Sequence, residues 1–253
     1  MLEAYLDESN SARMNDLGDV CVIGGFLGTE SAWEWVKGKW EEARKPFDHF
    51  HAAKFLRDKD YARKLSWEQK EKYLVSLAHA TNHPELIPVV AAVREADYAD
   101  FFTGELRERY TSKHMVCAQV LVAHVLNVLA RSFPEEKVRF FFEENAKYRD
   151  EIVGLHKVIF DYTQDSRLVS ITHVRKPFTL AEPADYYAYA CFQHLSGRDT
   201  RESLATRPIL GDGAVMGHVC DRDFLRILAM KLLGQGIAAR TPSQDRTPPH
   251  KDE

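Results

Sequence analysis

The sequence predicts an α/β fold, a mixed five-stranded sheet flanked by helices. Three observations predict it. Five short runs rich in β-branched and aromatic residues recur along the chain. Segments with helical apolar spacing follow the third, fourth and fifth of them. The first two runs are joined by a turn-rich stretch, "NSARMNDLGD", which suits an antiparallel pair.

The first strand is Leu2–Leu6, stopping at Asp7 and Glu8, and the second is "VCVIGGFLG", Val20–Gly28. The paired glycines of the second strand point to a bulge or a close backbone approach. From Thr29 a helical insertion over about residues 30–83 is expected. Thr29 or Ser31 can cap its first helix, Trp33, Val36 and Trp40 fall at helical spacing, and Pro46 ends it. "FDHFHAAKF" follows, and Ser66 caps a second amphipathic helix. The third strand lies in Glu85–Glu95, and a long helix runs from about Tyr110 to Arg131. "KVRFFFEEN", Lys137–Asn145, carries the strongest strand signal and ends in Glu143 and Glu144. Residues 148–164 read as helical, and "RLVSITHVRKP" as the fifth strand, ended by Pro177. "LAEPADYYAYACFQHL" is a helix with Pro183 near its first position, and "DRDFLRILAMKLLG" a last helix closed by Gly234. One domain over 1–238 is expected, with a polar, proline-rich disordered tail over 239–253.

At 45% hydrophobic and 28% charged, the composition is that of a globular protein, and the formal net charge of -4 gives no indication of a strongly basic nucleic-acid binder. Cys21, Cys117, Cys191 and Cys220 show no Cys-x-x-Cys spacing and sit in apolar segments, so buried free thiols are expected. No signal peptide is apparent. The most apolar helix is interrupted by Gln119, His124 and Asn127, where a membrane span needs roughly 20 mostly apolar residues. A cytoplasmic protein without a membrane partner is the expectation.

In open α/β sheets, chemistry gathers beyond the carboxyl ends of strands. Two strands end in acids, at Asp7 and Glu8 and at Glu143 and Glu144, while Asp185 and Glu182 open the helix after the fifth strand. Brought together, three or four carboxylates repel one another unless a cation lies between them. Such an oxygen-rich site suits Mg²⁺ or Mn²⁺. Two such ions about 3.5–4 Å apart activate a water and stabilise the leaving oxygen in phosphodiester hydrolysis. Each acid also has a purely structural explanation: strand-end turns for the pairs, and the helix macrodipole for Asp185.

"YLDES", "VIGGFL", "FHAAKF", "FFFEEN" and "EPADYYAY", in that order, resemble the bacterial family called domain of unknown function 3800 over about Met1–Leu195. The resemblance implies a ribonuclease H-like fold in which acids of the first strand, fourth strand and last helix bind divalent metal. By position, Asp7 matches the first-strand aspartate and Glu8 its companion. His51 matches the histidine of an acid-x-His-small pattern, Glu143 the acid after the fourth strand, and Asp185 the aspartate of a Gln-x-Ala-Asp pattern. The chain departs from the pattern at Asn10 (usually glycine), His49 (commonly an acid), Glu143 (usually aspartate) and Glu182 (usually glutamine).

His49 and His51, two apart in an extended segment, project to one face and suit a metal ligand or a general base, or else a polar loop. His114 and His124 read as core histidines. "IGGFLG" and "LGDGAVMG" lack the lysine of a nucleotide loop and read as turns, with Asp212 a loop residue and Asp221 a helix cap. Lys147, Arg149, Arg167, Arg175 and Lys176 are expected either to ring the site and hold phosphates or to form a solvated charged face. The tryptophans of the insertion (Trp33, Trp35, Trp40) and Trp67 read as core or partner surface.

The expected function is a Mg²⁺- or Mn²⁺-dependent phosphodiester hydrolase, a nuclease acting on DNA or RNA, with Asp7, Glu143 and Asp185 as ligands and Glu8 and His51 assisting. The alternative is a catalytically inactive binding or assembly module on the same fold. An enzyme acting on a small phosphorylated substrate is a third, weakened by the missing nucleotide loop.

Overall fold

The computed structural model describes residues 1–10, 20–57, 60–145, 148–150, 152–155, 159, 165–175, 178–197, 200–211 and 215–239. The expected loop over 11–19, Lys147, Lys176, Asp212, the 240–253 part of the expected tail and most of the helix expected over 148–164 lie outside these residues.

Strands β1 (Leu2–Asn10), β2 (Val20–Thr29), β3 (Leu86–Arg94), β4 (Val138–Glu143), β5 (Leu168–Val174) and β6 (Met216–Cys220) form one mixed sheet in the order β5-β4-β1-β2-β3-β6. The helices are α1 (Glu30–Ala43), α2 (Ala52–Leu56), α3 (Trp67–His79), α4 (Glu95–Phe101), α5 (Gly104–Arg109), α6 (Lys113–Ser132), α7 (Glu182–Leu195), α8 (Arg201–Thr206) and α9 (Arg222–Ala239). The chain is therefore an α/β protein whose mixed sheet is flanked by helices, with α1, α2 and α3 between the second and third strands.

Among the described residues the expected count of five strands is corrected to six. β6 pairs in parallel with β3, from Val89↔Met216 to Val93↔Cys220. Its segment follows "LGDG" and contains Gly217, so it reads as a turn. Gly217 instead permits a close approach, because a Cβ there would lie 2.6 Å from Val90 Cγ1. The last helix is corrected as well. It runs through Gly234 to Ala239, since a glycine inside a helix costs only about 1 kcal/mol against alanine.

β1 is longer than expected and carries Asp7 and Glu8 within it rather than after it. Its antiparallel pairing with β2 continues through Asp7↔Gly24 and Glu8↔Ile23 to Asn10↔Cys21. Its parallel pairing with β4 stops at Leu6↔Phe142. Asp7 thus stands one step past the last β1–β4 pair, beside Glu143.

Strand alternation sorts the core into two layers. Ala4, Leu6, Cys21, Ile23, Val138, Phe140 and Phe142 pack with α6. Tyr5, Val22 and Phe26 pack with Trp33 and Trp40 of α1 and Tyr186 and Tyr187 of α7. By length and composition alone α6 could cross a membrane, but here most of its apolar side chains from Met115 to Leu129 are buried in the core on one face of the sheet. All four cysteines are buried free thiols.

Local signals set the helix starts. Thr29 Oγ1 accepts from the Ala32 N–H at 3.2 Å, opening α1. Ser66 and Gln69 form a reciprocal capping box at α3. Asp221 Oδ1 accepts from the Phe224 N–H at 2.8 Å ahead of α9, as the sequence predicts. The glycine pair of β2 serves close approach, not a bulge: the β1–β2 register is unbroken. A Cβ on Gly24 would lie 3.2 Å from Tyr187 Cδ1 and 3.3 Å from Ala188 Cα, and one on Gly25 would lie 2.0 Å from Tyr5 O. The missing side chains let α7 settle onto the sheet beside Asp7.

Candidate metal centre

Asp7 of β1, Glu143 at the end of β4 and Asp185 in the first turn of α7 converge. One carboxylate oxygen from each lies within 4.8 Å of the others; Asp7 and Glu143 are buried, and the Asp185 side chain is 12% exposed. The geometry follows from three local facts. Parallel pairing aligns the ends of β1 and β4, both acids occupy odd positions and so share the α7 face, and the glycines of β2 admit the start of α7.

Like charges about 5 Å apart repel by about 3 kcal/mol per pair at an effective dielectric of ~20. The Asp7 carboxyl accordingly rises well above its ordinary range. Burial is the main cause, followed by the charges of Glu143, Glu8 and Asp185. One Asp7 oxygen accepts from the Glu8 N–H at 2.8 Å, which fixes the carboxylate's orientation. Three carboxylates in this arrangement form an all-oxygen donor set that fits a hard divalent cation.

Glu8, expected as an assisting residue, does not join this set. Alternation along β1 sends its side chain to the α6 face, where it accepts a hydrogen bond from Asn145 Nδ2. Burial raises its carboxyl, while the Asn145 hydrogen bond and the nearby His114 oppose the rise. His114 is buried and stacks flat on Tyr148, ring centroids 3.9 Å apart, as befits the core histidine expected there.

Asp185 also organises the insertion. Its Oδ2 accepts from the Ala52 N–H at 2.6 Å, at the start of α2, and its Oδ1 lies 3.4 Å from His51 Nδ1. Three residues earlier, at the start of the same helix, Glu182 is clamped between Trp40 Nε1 at 2.7 Å and Arg44 Nη1 at 2.8 Å. It also accepts from the Phe50 backbone. Burial raises the Glu182 carboxyl, and Trp40 and Arg44 hold that rise back. Glu182 is thus a structural tie between α7 and the insertion rather than a fourth member of the cluster. Together the two acids hold the segment from His49 to Ala52 across the site.

That segment makes one wall of a cleft of about 270 Å³ lined by His49, Phe50, His51, Lys54, Glu143, Phe178, Glu182 and Asp185. Both predicted histidines line it. Lys54 and Phe178 were not singled out from the sequence. Lys54 carries a weak signal, standing one helical turn beyond His51. Phe178 carries none, because its place depends on tertiary contact with Tyr5. The cations expected around the site divide. Arg149 and Arg175 reach Glu144 at 3.3 and 3.2 Å, near the carboxyl end of the strands. Arg167 pairs with Asp165 at 2.6 Å just before β5 begins, at the opposite edge, and cannot ring the site. Trp33 and Trp40 are core residues, and Trp35 is partly exposed.

A scan of the chain against protein-family models found no match, and a search of curated proteins found none either.

Proposed function

We propose that the chain is a divalent-metal-dependent phosphodiester hydrolase of ribonuclease H-like design, a nuclease that uses Mg²⁺ or Mn²⁺. The observation that carries this reading is the convergence of Asp7, Glu143 and Asp185, within 4.8 Å, at the edge of a cleft that also presents Lys54, His49 and His51. The three carboxylates would hold the ion, whose chemistry is to polarise a phosphoryl oxygen and acidify a bound water. His51, 3.4 Å from Asp185, would carry a proton, and Lys54, in the cleft lining, would meet a phosphate. The resemblance of the five quoted motifs supports the same reading.

Metal-dependent cleavage of labelled DNA and RNA tests it. Asp7→Asn should reduce the rate roughly a hundredfold or more, since removing even outer partners of a metal ligand costs 10–100-fold. Circular dichroism must show the variant folded. A wild-type protein that cuts no DNA or RNA with either ion contradicts the reading.

One observation favours the second reading, an inactive binding or assembly module: Asp185 already serves the Ala52 N–H and His51. A carboxylate has about four lone-pair sites, so these contacts leave room for a cation. Calorimetric titration with Mn²⁺ separates the readings, because an inactive module of this kind needs no divalent-ion affinity.

A further inference from the structure

Phe178 is the apolar side chain that the cleft leaves open. It is 36% exposed, although the aromatic residues behind it are well covered. Its ring stacks on Tyr5 with centroids 5.7 Å apart and planes at 30°. Tyr5 in turn stacks on Phe141 at 4.7 Å and 13° and meets Trp33 edge-on at 4.7 Å. The Trp33 indole is pinned by its Nε1–H to Glu3 O at 2.9 Å. Phe178 is therefore the outer member of a braced aromatic column. It lines the cleft together with Glu143, Asp185, His49, His51 and Lys54.

An exposed ring on a fixed support costs little ordering on binding and offers a flat π-surface, the feature by which proteins hold an unstacked base. The cleft's size limits what can use it. At about 270 Å³ it lies just under the ~300–1,000 Å³ of ordinary small-ligand pockets, room for about one nucleotide-sized group at a time. A base in a duplex is stacked on both faces and cannot lie against Phe178.

Resting on the hydrolase reading, we infer that the substrate is single-stranded nucleic acid, with a base next to the cut phosphate stacked on Phe178 and the adjoining phosphate against Lys54. Phe178 binds substrate and sets its strandedness; it takes no part in the proton chemistry.

The test uses fluorescein-labelled single strands of about 12 nucleotides, as DNA and as RNA, and blunt duplexes of the same sequences, within the range of known single-strand site sizes. Rates are read with Mn²⁺, and binding by anisotropy with Ca²⁺ in its place. Wild-type protein is expected to cut at least one single strand about tenfold or more faster than its duplex, an excess in line with one stacking contact. Phe178→Ala should raise KM and the anisotropy Kd for that strand about 5- to 150-fold with kcat much less affected, the range of one base–aromatic stack. Phe178→Trp, which keeps a π-surface and guards against a packing defect, should restore both. The DNA and RNA arms show which sugar is preferred. Metal-dependent cleavage of duplexes at least as fast as of single strands, or an unchanged KM in Phe178→Ala, overturns the inference and leaves the hydrolase reading standing. No cleavage of any substrate by the wild type removes both.

Discussion

The two faces of the sheet are made by the same strands and do different work. On the α6 face, Ala4, Leu6, Ile23, Phe140 and Phe142 meet an apolar helix in close packing. On the α7 face, aromatic rings from Tyr5, Phe26, Trp33, Trp40 and Tyr187 share the layer with two strand carboxylates and a third from the helix. The first face gains stability from apolar burial, each large side chain contributing about 1.5–3 kcal/mol. The second gives some of that up to gather like charges. Asp7 and Glu8 mark the difference within one strand, since neighbouring acids are sent to opposite faces and only one reaches the cluster. A residue's face, more than its chemistry, decides whether it serves the fold or the site.

Substitutions on the two faces should therefore separate stability from metal binding. The largest stability effect is expected on the α6 face. Phe140 is fully buried, and Phe140→Ala should cost about 3–5 kcal/mol in urea unfolding. The folded fraction should keep wild-type Mn²⁺ affinity, and a large loss of affinity there would erase the distinction between the faces. On the α7 face, Gly24→Val should cost less, about 1–3 kcal/mol of overpacking against Tyr187 and Ala188. It should nonetheless weaken Mn²⁺ binding, because the helix carrying Asp185 is pushed off the sheet. Unchanged calorimetric affinity in that variant would mean that α7 does not need its close seat.

The smallest effect is a pH dependence in which Asp7 takes part, and to which the raised Glu8 and Glu182 carboxyls add with the same sign. In the native protein the Asp7 carboxyl is held well above its ordinary value of 3.8, so the folded chain keeps a proton that the unfolded chain releases. Metal-free stability should then fall as pH climbs from about that ordinary value through the raised native one. Saturating Mg²⁺ should lessen the slope, and so should Asp7→Asn, which leaves only the part due to Glu8 and Glu182. Urea midpoints across this range, with EDTA and with Mg²⁺, check it. A metal-free protein that gains stability with rising pH there, through the Asp7 proton, would contradict the assigned repulsion.

Much of the architecture was legible in the sequence. The Thr29 and Ser66 caps, the Trp33–Val36–Trp40 spacing and the β1–β2 pair follow from local chemistry and appear where they are expected. Asp7, Glu143 and Asp185 were marked by their places at strand ends and a helix start. What the sequence did not reveal depends on partners distant in the chain. β6 is a strand because β3 offers it an edge, and its glycine sits where Val90 leaves no room for a side chain. β1 outlasts its apolar run because β2 continues to pair with it past Leu6, and that extension carries Glu8 away from the site. Glu182, counted from the sequence only as a fourth carboxylate beside Asp185, is taken by Trp40 and Arg44, more than a hundred residues earlier.

The measurement closest to the centre of this account is anomalous scattering from crystals soaked in Mn²⁺. The account predicts a peak bounded by the carboxylates of Asp7, Glu143 and Asp185, on the α7 face of the sheet. Crystals with no peak there at saturating Mn²⁺, or with the ion on the Glu8 side instead, would contradict it.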